Sequence, residues 1–143
     1  MGKNKFCLNC GSEITKKSQN KFCSNECQNE YYYKEYIKRW LAGKEDGLRG
    51  EYQTSNYIRR YLFEKNNNKC EICGWGKMNK YTKKIPLQIH HIDGDYLNNK
   101  PENLMLICPN CHSLTDSYGS LNNGNGIPNR KIARKKHGED SLK

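Results

Sequence analysis

Eight cysteines fall into four close pairs along this 143-residue chain, and their spacing constrains the fold more than any other feature. The first two pairs are Cys7-x2-Cys10 and, twelve residues on, Cys23-x3-Cys27. The other two are Cys70-x2-Cys73 and, after thirty-four residues, Cys108-x2-Cys111. Two sulfurs on one short turn can face a single tetrahedral ion, and no cysteine is left over, so the pattern predicts two structural Zn2+ sites. Gly11 follows Cys10 and Gly74 follows Cys73; glycine permits the left-handed backbone that closes such a knuckle. Disulfides, the alternative staple, belong to oxidising compartments. The chain opens Met1-Gly2-Lys3-Asn4-Lys5 with no apolar run behind it and has no stretch apolar enough to cross a bilayer. These features predict an intracellular, cytoplasmic protein with reduced thiols and no membrane partner.

A staple is needed, because only 34% of the residues are hydrophobic, too few for a large core in so short a chain. Closed four-cysteine sites leave no open position for a substrate, so any chemistry must come from other residues. Lysine and arginine number 25 against 15 acidic residues, a formal charge of +10. Each four-thiolate zinc site carries a net −2, so two of them leave about +6. The chain stays basic, which suits a phosphate-rich partner.

Composition separates four segments: residues 1–45, an N-terminal zinc module with a helix; residues 46–69, a linker and a helix; residues 70–118, the second cysteine cluster with most of the histidines; and residues 119–143, a flexible basic tail. Glu26 to Trp40 reads as a helix, because Tyr32, Tyr33, Tyr36, Ile37 and Trp40 recur at three- and four-residue spacing, and Gly43 would stop it. Residues 43–51 hold glycines and no apolar period and read as a linker. A second helix is expected from Ser55 to Lys65, capped by Thr54 or Ser55 and ended by Asn66, Asn67 and Asn68. Its apolar face is Tyr57, Ile58, Tyr61 and Leu62; Arg59 and Arg60 lie off that face, as candidate contacts to a phosphate-rich partner. Both aromatic stripes read as core packing rather than base-stacking platforms. Tyr81-Thr82-Lys83-Lys84 reads as a hairpin tip whose Lys83 and Lys84 could touch phosphate. Arg130, Lys131, Arg134, Lys135 and Lys136 form a basic run that is either a phosphate contact or a solvated tail, and His137 reads as solvated.

The remaining histidines cluster. Leu87 and Ile89 alternate with Gln88 and His90, as in a half-buried strand. Neighbours on a strand point to opposite faces, so the adjacent His90 and His91 should do different work. Asp93-Gly94 signals a turn. His112 follows Cys111 directly, so metal binding by the second cluster would draw it toward the strand carrying His90 and His91.

The order His90-His91-Ile92-Asp93-Gly94, then Asn103-Leu104, then Cys108-x2-Cys111-His112 resembles the HNH nuclease family over roughly residues 68–118. The resemblance implies a small, zinc-stapled α+β fold: a ββα-metal core, an N-terminal four-cysteine zinc module and connecting helices. It implies that His91 is the general base, that His90 and His112 bind one catalytic divalent ion such as Mg2+ or Mn2+, and that Asn103 braces the loop and orients the base. The family often has aspartate where this chain has His90. A neutral ligand leaves the ion more positive and favours softer ions such as Mn2+, Ni2+ or Zn2+, and Asp93 and Asp95 stay open as further ligands. The residue types suit phosphodiester hydrolysis, which needs a base near neutral pKa and a cation at the phosphate. The implied substrate is double-stranded DNA, cut to a 5′-phosphate and a 3′-hydroxyl by a monomer or homodimer. Small nucleases of this kind resemble phage- or mobile-element-borne homing endonucleases, or restriction enzymes, at work in a bacterial or phage-infected cell. A non-catalytic zinc-finger binding module would keep the cysteines without needing His91 or Asn103, and an RNA-directed nuclease is the third reading.

Overall fold

The computed structural model describes residues 4–122. The chain divides into two compact units, Met1–Glu45 and Asp46–Lys143.

In the first unit the Cys7–Cys10 knuckle is closed by hydrogen bonds from Cys7 N to Ser12 O at 2.8 Å and from Gly11 N to Cys7 O at 2.9 Å. Gly11 has a φ of +73°, which a side chain would strain. Helix α1, Asn25–Leu41, starts inside the second cysteine pair. Its N-cap is Ser24, whose hydroxyl accepts from Cys27 N at 3.2 Å, so one short segment satisfies the helix end and fixes two sulfurs. Tyr33, Ile37 and Trp40 form its buried face. Tyr32 departs from the expected stripe: it is exposed and packs its ring against Phe22 and Tyr31, each 5.8 Å away.

The second unit opens with a correction. Part of the stretch expected to be a linker is a hairpin, in which β1 (Leu48–Arg49) pairs antiparallel with β2 (Gln53–Thr54). The Asp46 carboxylate accepts from Leu48 N at 2.8 Å, and Ser55 N donates to Gly47 O at 2.8 Å, closing the hairpin at its base. Strands of two residues are too short to show a period of two in sequence. Helix α2, Asn56–Lys65, follows at once, with Ser55 as its N-cap and Ile58 and Leu62 buried. It ends where Asn67 and Asn68 turn left-handed, at φ 51° and 57°, a conformation that asparagine tolerates.

Strand β3 (Gln88–His91) pairs antiparallel with β4 (Leu104–Ile107), with His90 opposite Met105 and His91 opposite Leu104. A 3-10 turn, Pro101–Asn103, leads into β4, and a short helix α3, Pro109–Ser113, leaves it. Helix α2 lies against β4, and α3 against β3. The buried apolar residues of this unit, Ile58, Leu62, Leu87, Leu104, Leu106 and Ile107, make a core small enough to need an additional staple. The turn around Tyr81 also differs from expectation. Asn79 N donates to Lys84 O and Lys83 N donates to Asn79 O, each at 2.9 Å, but no paired strands flank it. No helix among the described residues is long and apolar enough to cross a membrane. The architecture is thus a small α+β fold with two cysteine quartets.

Candidate functional site

The sulfurs of Cys7, Cys10, Cys23 and Cys27 lie within 4.8 Å of one another, and so do those of Cys70, Cys73, Cys108 and Cys111. Crowding four thiols splits their proton affinities. Burial pushes Cys7 up, but N–H groups of Cys10, Cys23 and Asn9 outweigh it and bring the thiol down to about 6. Cys23 is pushed up to about 12 by the thiols of Cys27, Cys10 and Cys7. The second quartet repeats this: Cys70 lies at about 6, held down by N–H groups against its burial, and Cys111 is pushed up to about 12, first by Cys73. One thiolate forms readily in each cluster and a further one is resisted, a conflict that a bound dication removes. Four sulfurs within reach of one tetrahedral centre fit zinc.

The second quartet is built into the histidine site. Gly74 N donates to Cys70 O at 2.9 Å, and Gly74, at φ +73°, closes the first knuckle as Gly11 does. Cys108 is the N-cap of α3, and its sulfur accepts from Cys111 N at 3.5 Å. The next residue on α3 is His112, whose ring lies 5.4 Å from that of His90, edge-on. The His112 ring also lies 5.3 Å from that of Tyr118. His112 Nδ1 is hydrogen-bonded to Gln88 Oε1. An amide oxygen only accepts, so Nδ1 carries the proton and Nε2 keeps a lone pair. Burial lowers the pKa of His112. His90 is lowered too, first by its own burial and then by His112 and His91. Both rings are therefore held neutral, the form that binds a metal.

His91 has other partners, as the alternation along β3 requires. Its Nε2 lies 2.9 Å from Asn99 Oδ1, and Asn99 is buried, at 2% exposure. The Thr54 hydroxyl donates to the same oxygen, also at 2.9 Å. Neither Asn99 nor Gln88 was singled out from the sequence. Asn99 sits in the polar run Asn98-Asn99-Lys100, and the one local mark of its position is the span between the Asp93-Gly94 turn and Pro101.

Asn103 is buried and ties the loop after β3 together. Its side-chain N–H donates to Asp93 Oδ1 at 2.9 Å and to Asn98 O at 2.8 Å, while its oxygen accepts from Asp93 N at 3.1 Å. Asp93 is a loop acceptor as well, taking hydrogen bonds from Asp95 N at 2.9 Å and from Asn98 Nδ2 at 2.6 Å. Burial pushes its carboxyl up, but these bonds outweigh that and hold it below its ordinary value. Asp95 accepts from Leu97 N at 2.9 Å.

The basic candidates lie on other elements. Arg59 and Arg60 are exposed on α2, where Arg60 pairs with Glu64 at 2.7 Å. Lys83 and Lys84 are exposed in the turn after Asn79. Arg130, Lys131, Arg134, Lys135, Lys136 and His137 fall outside the described residues.

Residues 80–113 match a family model described as HNH endonuclease. A stretch of 57 residues, 40% of the chain, is 46% identical to the H-N-H endonuclease F-TflIV of Escherichia phage T5 and covers 24% of that relative's length. No solved structure matches the chain.

Proposed function

Because residues 80–113 carry the HNH endonuclease family match, we propose that this protein is a divalent-metal-dependent endonuclease that hydrolyses double-stranded DNA. The carrying observation is that two adjacent histidines on β3 are held differently. His90 lies against His112, and His91 is hydrogen-bonded through Nε2 to Asn99. One pair suits a metal, and the other suits a base.

In this reading His91 accepts a proton from water at Nδ1 as the water oxygen bonds to phosphorus. The bond from phosphorus to the 3′ oxygen breaks and that oxygen takes a proton from solvent, leaving a 5′-phosphate and a 3′-hydroxyl. His90 and His112 would hold a divalent ion, which would supply positive charge where the phosphoryl and leaving oxygens develop their negative charge. Mg2+ or Mn2+ would serve, and the neutral His90 favours the softer ion. Asn103 keeps the loop beyond His91 in place through its bonds to Asp93 and Asn98. Zinc in each quartet is structural, with every ligand position filled by cysteine.

The succession β3, β4, α3 supports a ββα-metal core, with residues 1–45 as an N-terminal zinc module. Arg59, Arg60, Lys83, Lys84 and the basic tail from Arg130 to Lys136 are proposed phosphate contacts. A monomer with one such site nicks; cutting both strands takes a homodimer or two successive events.

Supercoiled plasmid tests the reading, with Mg2+ or Mn2+, beside His91→Ala and a reaction without added divalent metal. Conversion to nicked or linear form by wild type alone supports it. If zinc-loaded wild type leaves every duplex intact, across substrates that include long natural DNA, the non-catalytic binding module replaces it.

A further inference from the structure

Resting on the reading of His91 as the general base, we infer that Asn99, anchored by Thr54, is the positioning residue that fixes the His91 ring in the tautomer the cleavage needs. A neutral imidazole has one N–H and one lone pair. The Asn99 amide oxygen can only accept, so the 2.9 Å contact requires His91 Nε2 to carry the proton. Nδ1 is then the nitrogen able to take one from water. The opposite tautomer would set the Nε2 lone pair against the lone pairs of the amide oxygen and leave an N–H where a base is required.

What keeps Asn99 in this pose comes from elsewhere in the chain. An amide oxygen has two acceptor sites; His91 takes one, and the Thr54 hydroxyl, at 2.9 Å, takes the other. Thr54 ends strand β2 of the short hairpin, and Gly47 lies at the hairpin's base. A Cβ at Gly47 would stand 2.6 Å from Asn99 Cβ and 2.8 Å from Ile58 Cδ1. The hairpin backbone therefore lies directly on Asn99, and no larger residue fits between them. Thus the segment at the N-terminal edge of the unit, outside the matched residues 80–113, sets the protonation geometry of the base.

The test begins with wild type. Long-range 1H–15N spectra of zinc-loaded protein, without further divalent metal and above the ordinary histidine pKa, report which His91 nitrogen is protonated. Protonation at Nε2 is expected; protonation at Nδ1, or an even mixture, overturns the inference. Asn99→Leu is expected to mix the tautomers and to lower kcat about 10- to 100-fold, the usual cost of losing a partner that orients a functional histidine, with KM for DNA unchanged. Asn99→Asp, which keeps an accepting oxygen, should restore the Nε2–H form. If Asn99→Leu fails to fold, Thr54→Val carries the test, since it removes only the second anchor. A mixed tautomer and a lower kcat support the inference, and wild-type values for both overturn it. Wild type that cleaves DNA with His91 protonated at Nδ1 sinks the positioning role alone. Wild type with Nε2–H that cleaves nothing sinks the nuclease reading, while the Asn99–His91 bond stands.

Discussion

Glu71 and Leu106 hold each other twice. The Glu71 N–H donates to the Leu106 carbonyl at 2.9 Å, and the Leu106 N–H donates back to the Glu71 carboxylate at 2.7 Å. The same carboxylate accepts from Asn66 Nδ2 at 2.9 Å. Glu71 sits inside the Cys70–Cys73 knuckle, so these bonds join half of the second cysteine quartet to the buried strand β4 and to the end of α2. Leu106 is fully buried, and Glu71→Ala would strand its N–H. Loss of about 1–3 kcal/mol is expected, the usual cost of an unsatisfied buried donor. Urea unfolding of zinc-loaded protein measures it. Glu71→Gln, which keeps an acceptor, should recover most of the loss; an unchanged midpoint for the alanine variant would show that the tie is dispensable.

Asn103→Ala should loosen the loop from Asp93 to Asn98. The variant removes the acceptor for Asp93 N and the donor to Asn98 O. Amide exchange at Asp93 is expected to speed up while exchange at Leu106 stays slow, and plasmid cleavage should fall by about 10- to 100-fold. Wild-type exchange at Asp93 in the variant would contradict the bracing.

Metal content gives a third expectation. Native mass spectrometry should find a zinc ion for each quartet. Cys7→Ser should lose the ion of the first quartet only. Cys108→Ser should lose that of the second and, with it, the position of His112, although serine can still cap α3. In the Cys108→Ser variant the His112 ring signals should collapse toward those of an unstructured histidine. Two zinc ions retained by both variants would refute the assignment.

Acid should weaken the fold through His90. Its pKa lies below the ordinary 6.5, first by burial, then by the positive charges of His112 and His91, with Asp116 pulling the other way; His112 is lowered by burial as well. The folded protein therefore binds fewer protons than the unfolded chain between the ordinary value and the lowered ones. Stability from these neutral rings is fully present above that window and is lost as pH falls through it. Zinc-loaded protein without added divalent metal should show a falling unfolding midpoint from about pH 7.5 to about pH 5.5. His90→Gln should make that fall shallower. An identical slope in the variant would remove His90 from the account.

Much of this was legible in the sequence, for a physical reason. Metal ligands must be close in space, and paired cysteines achieve that through short turns, so Cys7 to Cys27 and Cys70 to Cys111 declare their quartets by spacing. Helices α1 and α2 were legible because Tyr33, Ile37 and Trp40, and again Ile58 and Leu62, repeat with the helical period. Both ends of α1 and the start of α2 differ from the expected ones by one residue, and α2 ends at Lys65 as expected. The hairpin Leu48–Arg49 with Gln53–Thr54 was not legible, since strands so short carry no pattern. Asn99 and Gln88 were missed for a related reason. Gln88 matters through its bond to His112, and Asn99 through its bonds to His91 and Thr54; no local periodicity records such bonds. Tyr32 fell on the expected apolar stripe yet stays exposed, because Phe22 and Tyr31 offer its ring a surface partner.

Between Gly76 and Pro86 the described chain carries neither helix nor paired strand. It leaves from the Cys70–Cys73 knuckle and arrives at the strand bearing His90 and His91. Both ends are anchored, by Glu71 and the sulfurs on one side and by the β3–β4 register on the other. Doubling the length of such a loop costs only about 0.6 kcal/mol in closure entropy. Evolution can therefore lengthen, shorten or recharge this span while the histidines keep their spacing, so that the reach of the molecule and its chemistry can diverge independently.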